Sequence, residues 1–259
     1  MVGNLTSGGA KRRPRRRVAA NGEASPGVPT SPLRRRVAPN GEVFPTTYRI
    51  GAALSRHIGR VFFRVRYEGI ENVPTTGGGI LAPNHVSFLD PMLIACRVER
   101  PMVFIAHELF FTKRFLGTWL RQAGGFPVAS GGESTGAIRE VLRELKAGRL
   151  LGMFPEGTRS WDGDLLPAMA GVGLLVAATD VPVIPVYVDG AYAAWPRHRR
   201  FPLPRQVTIR FGEPVQLDEI RRQMTVDRKN RRAHQLAIAD AVMDAIAALA
   251  PKNAPVTGN

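Results

Sequence analysis

Several features are scarce in this chain of 259 residues, and each scarcity excludes a class of protein. The only cysteine is Cys96, so a disulfide framework within the chain is excluded. No stretch reaches the 18 or so consecutive apolar residues that a membrane-spanning helix requires, so we expect no such helix. The five histidines are scattered, without an i, i+4 pair or a Cys-His cluster, so we expect no metal site.

Acidic residues are also in the minority. The chain has 36 Lys and Arg against 21 Asp and Glu, which gives a net charge of +15. This excess predicts an anionic partner: nucleic acid, anionic lipid, or a substrate that carries phosphate or CoA. With 44% hydrophobic residues, the composition is otherwise that of a folded protein, and the length fits a single core.

The charge is concentrated at the start of the chain. Nine basic and two acidic residues fall within the first 47 positions, among many Gly, Pro and Ser. We expect residues 1–46 to be a disordered basic leader, because they lack the apolar periodicity needed to offset the entropy of ordering. The leader is either a solvated tail or a polybasic patch for anionic lipid. Residues 250–259 are predicted to be a flexible tail.

A basic amphipathic helix is predicted over residues 47–64, where the single domain, residues 47–249, begins. Its apolar side chains recur at helical spacing, with arginines between them, and are Ile50, Ala53, Leu54, Ile58, Val61 and Phe62. Such a helix can lie in a lipid interface, with its guanidinium groups near phosphates. It can equally cover a protein core.

Beyond this helix, short apolar runs alternate with helical patterns. The predicted strands are 63–68, 79–83, 102–106, 125–128, 150–154, 183–188 and 207–211. The predicted helices are 91–98, 108–122, 135–147, 171–179 and 226–249. This alternation predicts an α/β fold with a mostly parallel central sheet flanked by helices. Ligands of such sheets bind at the carboxyl ends of the strands.

The first motif at such an end is Asn-His-Val-Ser-Phe-Leu-Asp-Pro over residues 84–91. A histidine can remove a proton from a hydroxyl, and a carboxylate on its other ring nitrogen would fix the tautomer. The spacing of His85 and Asp90 permits this contact if the chain turns from strand into helix between them. Alternatively, Asp90 is a helix N-cap before Pro91, and His85 is a structural residue.

The second motif is Phe-Pro-Glu-Gly-Thr-Arg-Ser over residues 154–160, after another apolar strand. Gly157 permits a tight turn, and Arg159 offers a planar fork for phosphate. Glu156 can hold or orient that arginine. The alternative is an ordinary turn with a surface ion pair.

Taken in order, the two motifs resemble the signature of the glycerolipid acyltransferase family, and of its lysophosphatidic acid acyltransferases in particular. The resemblance extends over residues 62–215 and includes the segments 104–110, 125–128 and 183–188. It implies a glycerol-3-phosphate acyltransferase-like α/β fold. It also implies transfer of a fatty acyl group from acyl-CoA or acyl carrier protein, as co-substrate, to a hydroxyl of a glycerol-phosphate lipid, with no cofactor.

Carried over by position, the resemblance makes His85 the general base and Asp90 the residue that orients it. Asn84 and Ser87 would shape the turn between them. The remaining substrate-binding residues would form the pocket for the acceptor phosphate, and they are Glu156, Gly157, Thr158 and Arg159.

Three positions depart from the pattern of many relatives, which have a basic residue where this chain has His107, Ala129 or Ser130, and the segment 168–170. Each departure removes a candidate ligand of phosphate. Either Arg159 and a nearby residue such as Lys113 or Arg114 suffice, or the acceptor is not lysophosphatidic acid.

The expected reaction is acylation of 1-acylglycerol-3-phosphate to phosphatidic acid, by a peripheral protein on the cytoplasmic face of the cell membrane. The alternatives are another lysophospholipid or lipid alcohol as acceptor, hydrolysis of thioesters, or a non-enzymatic protein that binds lipid or nucleic acid. The expected partners are a lysophospholipid, an acyl thioester, an anionic membrane surface, and an acyl carrier protein if that is the donor. No recognisable nucleic-acid fold accompanies the basic leader.

Overall fold

The computed structural model describes residues 46–98, 100, 102–107, 112, 125–128, 135–227 and 229–251. The predictions for a disordered leader and for the end of the tail lie outside these residues. So do the candidate ligands Lys113 and Arg114, and nearly all of the helix predicted over residues 108–122.

One sheet of seven strands organises the described part of the chain, in the order β1-β7-β6-β2-β5-β3-β4. The strands are β1 (Arg66–Glu68), β2 (Gly79–Pro83), β3 (Met102–His107), β4 (Gly125–Val128), β5 (Leu150–Gly152), β6 (Val183–Asp189) and β7 (Thr208–Phe211). Neighbouring strands run parallel, except that β6 and β7 are antiparallel. The prediction of a mostly parallel central sheet is confirmed.

Helices flank this sheet. They are α1 (Thr46–Phe62), α2 (Asp90–Ala95), α3 (Thr135–Lys146), α4 (Ala170–Ala177), α5 (Ala191–Ala194), α6 (Asp218–Val226) and α7 (Arg231–Ala247). The central strand β2 is buried along its whole length, with side chains in two apolar clusters. Leu81 packs in the cluster that contains residues of α2, whereas Ile80 and Ala82 pack with residues of α3, α4 and α7. This alternation follows from the two-residue period of a strand.

Helix α1 packs against α2 but leaves much of its apolar side uncovered. Gly59 is buried close to Leu93 of α2, so this face of α1 is covered. On the other face, Leu54 is 58% exposed and Val61 65% exposed, and Ile58 is also exposed. The apolar residues of this helix therefore do not all cover a core. Within the described ranges, no helix combines the length and hydropathy needed to cross a bilayer.

The C-terminal helix differs from its prediction over residues 226–249. Within that range the chain forms one helix, α7, which begins only at Arg231, because the preceding helix α6 ends at Val226 and a turn separates the two. In that turn the carboxylate of Asp227 accepts hydrogen bonds from the backbone N–H (3.3 Å) and the side-chain amide (2.7 Å) of Asn230. Such local bonds compete with helical backbone bonds, which explains the break.

Candidate active site

The two motifs meet because the strands that precede them are neighbours. Residues 84–91 follow β2, and residues 154–160 follow β5, which pairs with β2 in parallel. The carboxyl ends of parallel neighbours lie at the same edge of a sheet, where ligands of such folds bind. The first motif ends in α2 and the second continues as a loop.

His85 and Asp90 are in direct contact. The Nδ1 atom of His85 lies 2.8 Å from Oδ2 of Asp90. The carboxylate side chain is 0% exposed and the imidazole 16% exposed. A carboxylate on Nδ1 fixes the ring with its proton on that nitrogen, which leaves Nε2 free to accept a proton. The predicted pairing of these side chains is therefore present in the structure.

The carboxylate of Asp90 is not a helix cap. Besides His85, its Oδ2 atom accepts hydrogen bonds from the backbone N–H groups of Val86 and Ser87, both at 2.8 Å. These residues precede α2, and Asp90 is the first residue of that helix, before Pro91. The N-cap alternative is wrong, since the carboxylate tightens the loop that carries His85.

Asn84 and Ser87 anchor the same loop to the rest of the protein. Asn84 is buried, and its amide pairs with both backbone groups of Val188, accepting at 2.6 Å and donating at 3.3 Å. The hydroxyl of Ser87 donates to the carbonyl of Trp195 at 2.8 Å. Both side chains therefore bond to backbone, an arrangement that fits shaping of the turn rather than contact with a substrate.

Glu156 joins the two motifs. Its Oε1 atom accepts the backbone N–H of His85 at 2.8 Å, and its Oε2 atom accepts that of Leu166 at 3.1 Å. The backbone N–H of Ser160 in turn donates to the carbonyl of His85 at 2.8 Å. These bonds fix the loop of the second motif beside the imidazole.

The bonds of Glu156 correct the expectation that it holds or orients Arg159. Both of its carboxylate oxygens accept backbone N–H groups, one from each side of the site. The residue is 4% exposed, so these bonds are shielded from water. Burial raises the pKa of Glu156 to about 7, and the nearby charge of Asp90 raises it too, although the two backbone N–H bonds oppose the rise.

Arg159 lies over the first motif. Its guanidinium carbon is 3.4 Å from the centre of the Phe88 ring, and Phe88 lies between His85 and Asp90 in the chain. Among the described residues, its buried Nη1 atom has no hydrogen-bond partner. Burial lowers the pKa of Arg159 and the charge of Arg197 lowers it further, whereas the charge of Asp90 raises it. A partly buried guanidinium is a favourable site for an anion.

Three side chains at the site received no role from the sequence. Phe154 stacks on the imidazole of His85, with ring centres 3.8 Å apart. Phe88 supports Arg159, and Arg197 donates to Thr158 Oγ1 at 3.3 Å. Both phenylalanines belong to the motifs, so the sequence alone could have placed them at the site. Arg197 is far from either motif in the chain, and no pattern singled it out.

Gly157 is required at the turn of the second motif. Its φ of +66° lies in the left-handed region, which is unfavourable for a residue with a Cβ atom. A Cβ atom would also overlap the Sδ and Cγ atoms of Met169. We expect Gly157→Ala to lower the free energy of unfolding by about 1–3 kcal/mol and hence the Tm by several degrees. Thermal unfolding followed by circular dichroism measures this change.

Gly171 in the first turn of α4 is the matched control. Among the described residues, no atom beyond the neighbouring residues and the backbone of α4 itself lies within 4 Å of where its Cβ atom would be, and its φ is not in the left-handed region. Gly171→Ala should leave the Tm unchanged or raise it slightly, because alanine favours a helix. Equal effects of the two substitutions would contradict the constraint at Gly157.

Known proteins resemble this chain over the same region. The Acyltransferase family model matches residues 64–189. The curated 1-acyl-sn-glycerol-3-phosphate acyltransferase of Streptococcus pneumoniae is 28% identical over 160 residues, which is 60% of this chain and 57% of that protein. The enzyme of the same name from Cocos nucifera is 29% identical over 139 residues, 52% of this chain and 45% of that protein. The chain thus spans about half the length of these curated relatives.

A solved structure has the same fold. It is described as the crystal structure of the 1-acyl-sn-glycerophosphate (LPA) acyltransferase, PlsC, from Thermotoga maritima. The TM-score is 0.58 at 28% identity, and the match covers 76% of this chain and 78% of that one. These findings confirm the resemblance that the two motifs carry, including its α/β fold.

Proposed function

Since the chain has an acyltransferase-family region over residues 64–189, we propose that it transfers a fatty acyl group from an acyl thioester to the free hydroxyl of a lysophospholipid. The acceptor is 1-acylglycerol-3-phosphate and the product is phosphatidic acid. The donor is acyl-CoA or acyl carrier protein, as co-substrate, with no further cofactor. The observation that carries the proposal is the juxtaposition of the His85–Asp90 pair with the loop of Arg159.

The reaction needs a base and a bound alcohol. The acceptor hydroxyl attacks the carbonyl carbon of the thioester, so that a C–O bond forms and the C–S bond breaks. His85 takes the hydroxyl proton on Nε2, because its Nδ1 is held by Asp90. The proton then passes to the leaving thiolate, and no acyl-enzyme intermediate forms. Arg159 holds the phosphate, which keeps the hydroxyl beside the imidazole and supplies proximity.

An assay of the purified protein tests this proposal. Lysophosphatidic acid, other lysophospholipids and several acyl-CoAs are offered in detergent micelles, and products are identified by mass spectrometry. We expect phosphatidic acid, with the highest kcat/KM for lysophosphatidic acid. Free fatty acid without an acylated lipid would instead indicate thioester hydrolysis, and no turnover at all would contradict the proposal.

We further propose that the protein binds peripherally to the cytoplasmic face of the cell membrane. In this arrangement α1 lies in the membrane surface. Two observations support the membrane contact: the exposed apolar side chains of α1, and a cleft of about 330 Å³ whose walls include basic side chains of the same helix. The cleft is lined by Arg56, His57, Arg60, Val65, Tyr67 and Arg97. An anionic lipid interface binds apolar and cationic side chains together.

Polar substitutions on the exposed side of α1 should weaken vesicle binding. Leu54→Ser and Val61→Ser together remove two apolar side chains whose burial in lipid stabilises the bound state. We expect at least about a tenfold weaker partition onto anionic phospholipid vesicles, measured by co-sedimentation, with activity in detergent retained.

Val226 supplies the control for this experiment. It is 88% exposed at the end of α6, outside α1. Val226→Ser should bind vesicles as the unmodified protein does. Undiminished vesicle binding of the α1 variant would exclude this helix as the membrane contact.

A further inference from the structure

Two guanidinium groups meet at the turn of the second motif. Arg159 belongs to the motif, and Arg197 comes from the loop after α5. The Nη1 atom of Arg197 donates to Thr158 Oγ1 at 3.3 Å and to the backbone carbonyl of Arg159 at 3.5 Å.

Both guanidinium groups lie over aromatic rings. Arg159 lies 3.4 Å above the centre of Phe88, and Arg197 lies 4.1 Å above that of Trp161. A guanidinium over a ring can still donate hydrogen bonds from its N–H edges. Among the described residues, the buried Nη1 atom of Arg159 has no hydrogen-bond partner.

Two neighbouring cations repel each other. The charge of Arg197 accordingly contributes, after burial, to a lowered pKa of Arg159, whereas the charge of Asp90 acts in the opposite direction. A bound anion offsets the repulsion and can accept hydrogen bonds from both guanidinium groups. A phosphate monoester carries about −1.5 to −2 charge at pH 7 and three acceptor oxygens, so it matches two arginines. A phosphodiester carries only one negative charge and matches one.

This pair of cations lies at the same end of the sheet as the base. Phe88, under Arg159, is three residues after His85, and the N–H of Ser160 donates to the carbonyl of His85. We propose that Arg197 is a second ligand of the acceptor phosphate, beside Arg159, and that it makes the site selective for a phosphate monoester. The inference rests on the proposed function, and it identifies Arg197 as the residue that determines which head group the acceptor carries.

Kinetics of Arg197→Ala and Arg197→Lys with two acceptors test this role. For Arg197→Ala, we expect the KM for lysophosphatidic acid to rise about 10- to 100-fold, with kcat changed little, because a hydrogen bond to a charged group is lost. The rate with 1-acylglycerol, which has no phosphate, should not change. Arg197→Lys should recover part of the loss, since lysine keeps the charge but not the planar fork.

The control variant is Arg200→Ala, which removes the same charge from the same loop. Arg200 is exposed and lies near the ring of Phe201, on the solvent side. It should leave the KM for lysophosphatidic acid within about twofold of the unmodified protein. An equal rise of KM for Arg200→Ala would show a diffuse charge effect and overturn the specific role of Arg197.

The phosphates of CoA are the other source of this ligand chemistry. The KM for acyl-CoA, at saturating acceptor, should be unchanged in Arg197→Ala, and a rise there alone would assign Arg197 to the donor and overturn the inference. An unchanged KM for lysophosphatidic acid in an active enzyme would overturn the inference but leave the proposed function standing. Absence of acyl transfer by the unmodified protein would overturn both.

Discussion

Replacing His85 with alanine should lower kcat by about 10²- to 10⁴-fold, which is the usual contribution of general base catalysis. The reason is geometric: Asp90 holds Nδ1 at 2.8 Å, so Nε2 is the ring atom that can take the hydroxyl proton. The fold should survive, because the main bonds of this loop are made by the backbone of His85 and by Asp90. Initial rates in detergent, with circular dichroism as the check on folding, measure the effect.

His57 offers a matched control for this substitution. It is an exposed histidine of α1 and belongs to neither motif. His57→Ala should retain full turnover in detergent, where binding to a membrane is not limiting. A folded His85→Ala protein with full activity would contradict the assignment of the base.

Asp90→Asn should lower kcat by at least about 10²-fold with little loss of folding, because the amide oxygen can still accept the N–H groups of Val86 and Ser87. What is lost is the negative charge that stabilises the imidazolium formed when His85 takes the proton. Since Asp90 acts through His85, adding Asp90→Asn to His85→Ala should lower kcat only slightly further. Single-turnover rates of the two single variants and the double variant measure this.

Asp90→Ala distinguishes the contribution of Asp90 to stability from its contribution to catalysis. It leaves two buried N–H groups without an acceptor, each at a cost of about 1–3 kcal/mol. We therefore expect Asp90→Ala to have a clearly lower Tm than Asp90→Asn. Fully additive losses of kcat in the double variant would contradict the view that Asp90 orients and stabilises the base.

The parts of the fold that the sequence predicted are those that depend on local patterns. Buried apolar runs such as residues 79–83 and 183–188 predicted strands because both faces of a parallel sheet are covered. The meeting of His85 with the Arg159 loop followed from the rule that ligands collect at the carboxyl ends of parallel strands. The pairing of β2 with β5 supplies the physical reason.

The residues whose roles were not predicted correctly from the sequence make contacts between segments that are distant in the chain. Glu156 looked like a partner for Arg159 because the two are close in the chain, but buried backbone N–H groups take up its carboxylate. Arg197 contacts Thr158 because β6 and α5 bring the loop after them back to the second motif. No rule of sequence spacing predicts this contact. The helix predicted over 226–249 is present but begins only at Arg231, because hydrogen bonds between Asp227 and Asn230 form a turn before it.

A crystal structure of the unmodified protein with lysophosphatidic acid, in the absence of donor, tests the central claim most directly. No reaction can occur without a thioester, so the bound acceptor can be observed. We expect phosphate oxygens within hydrogen-bond distance of Arg159 and the free hydroxyl about 3 Å from Nε2 of His85. A phosphate bound away from Arg159, or a hydroxyl out of reach of His85, would contradict it.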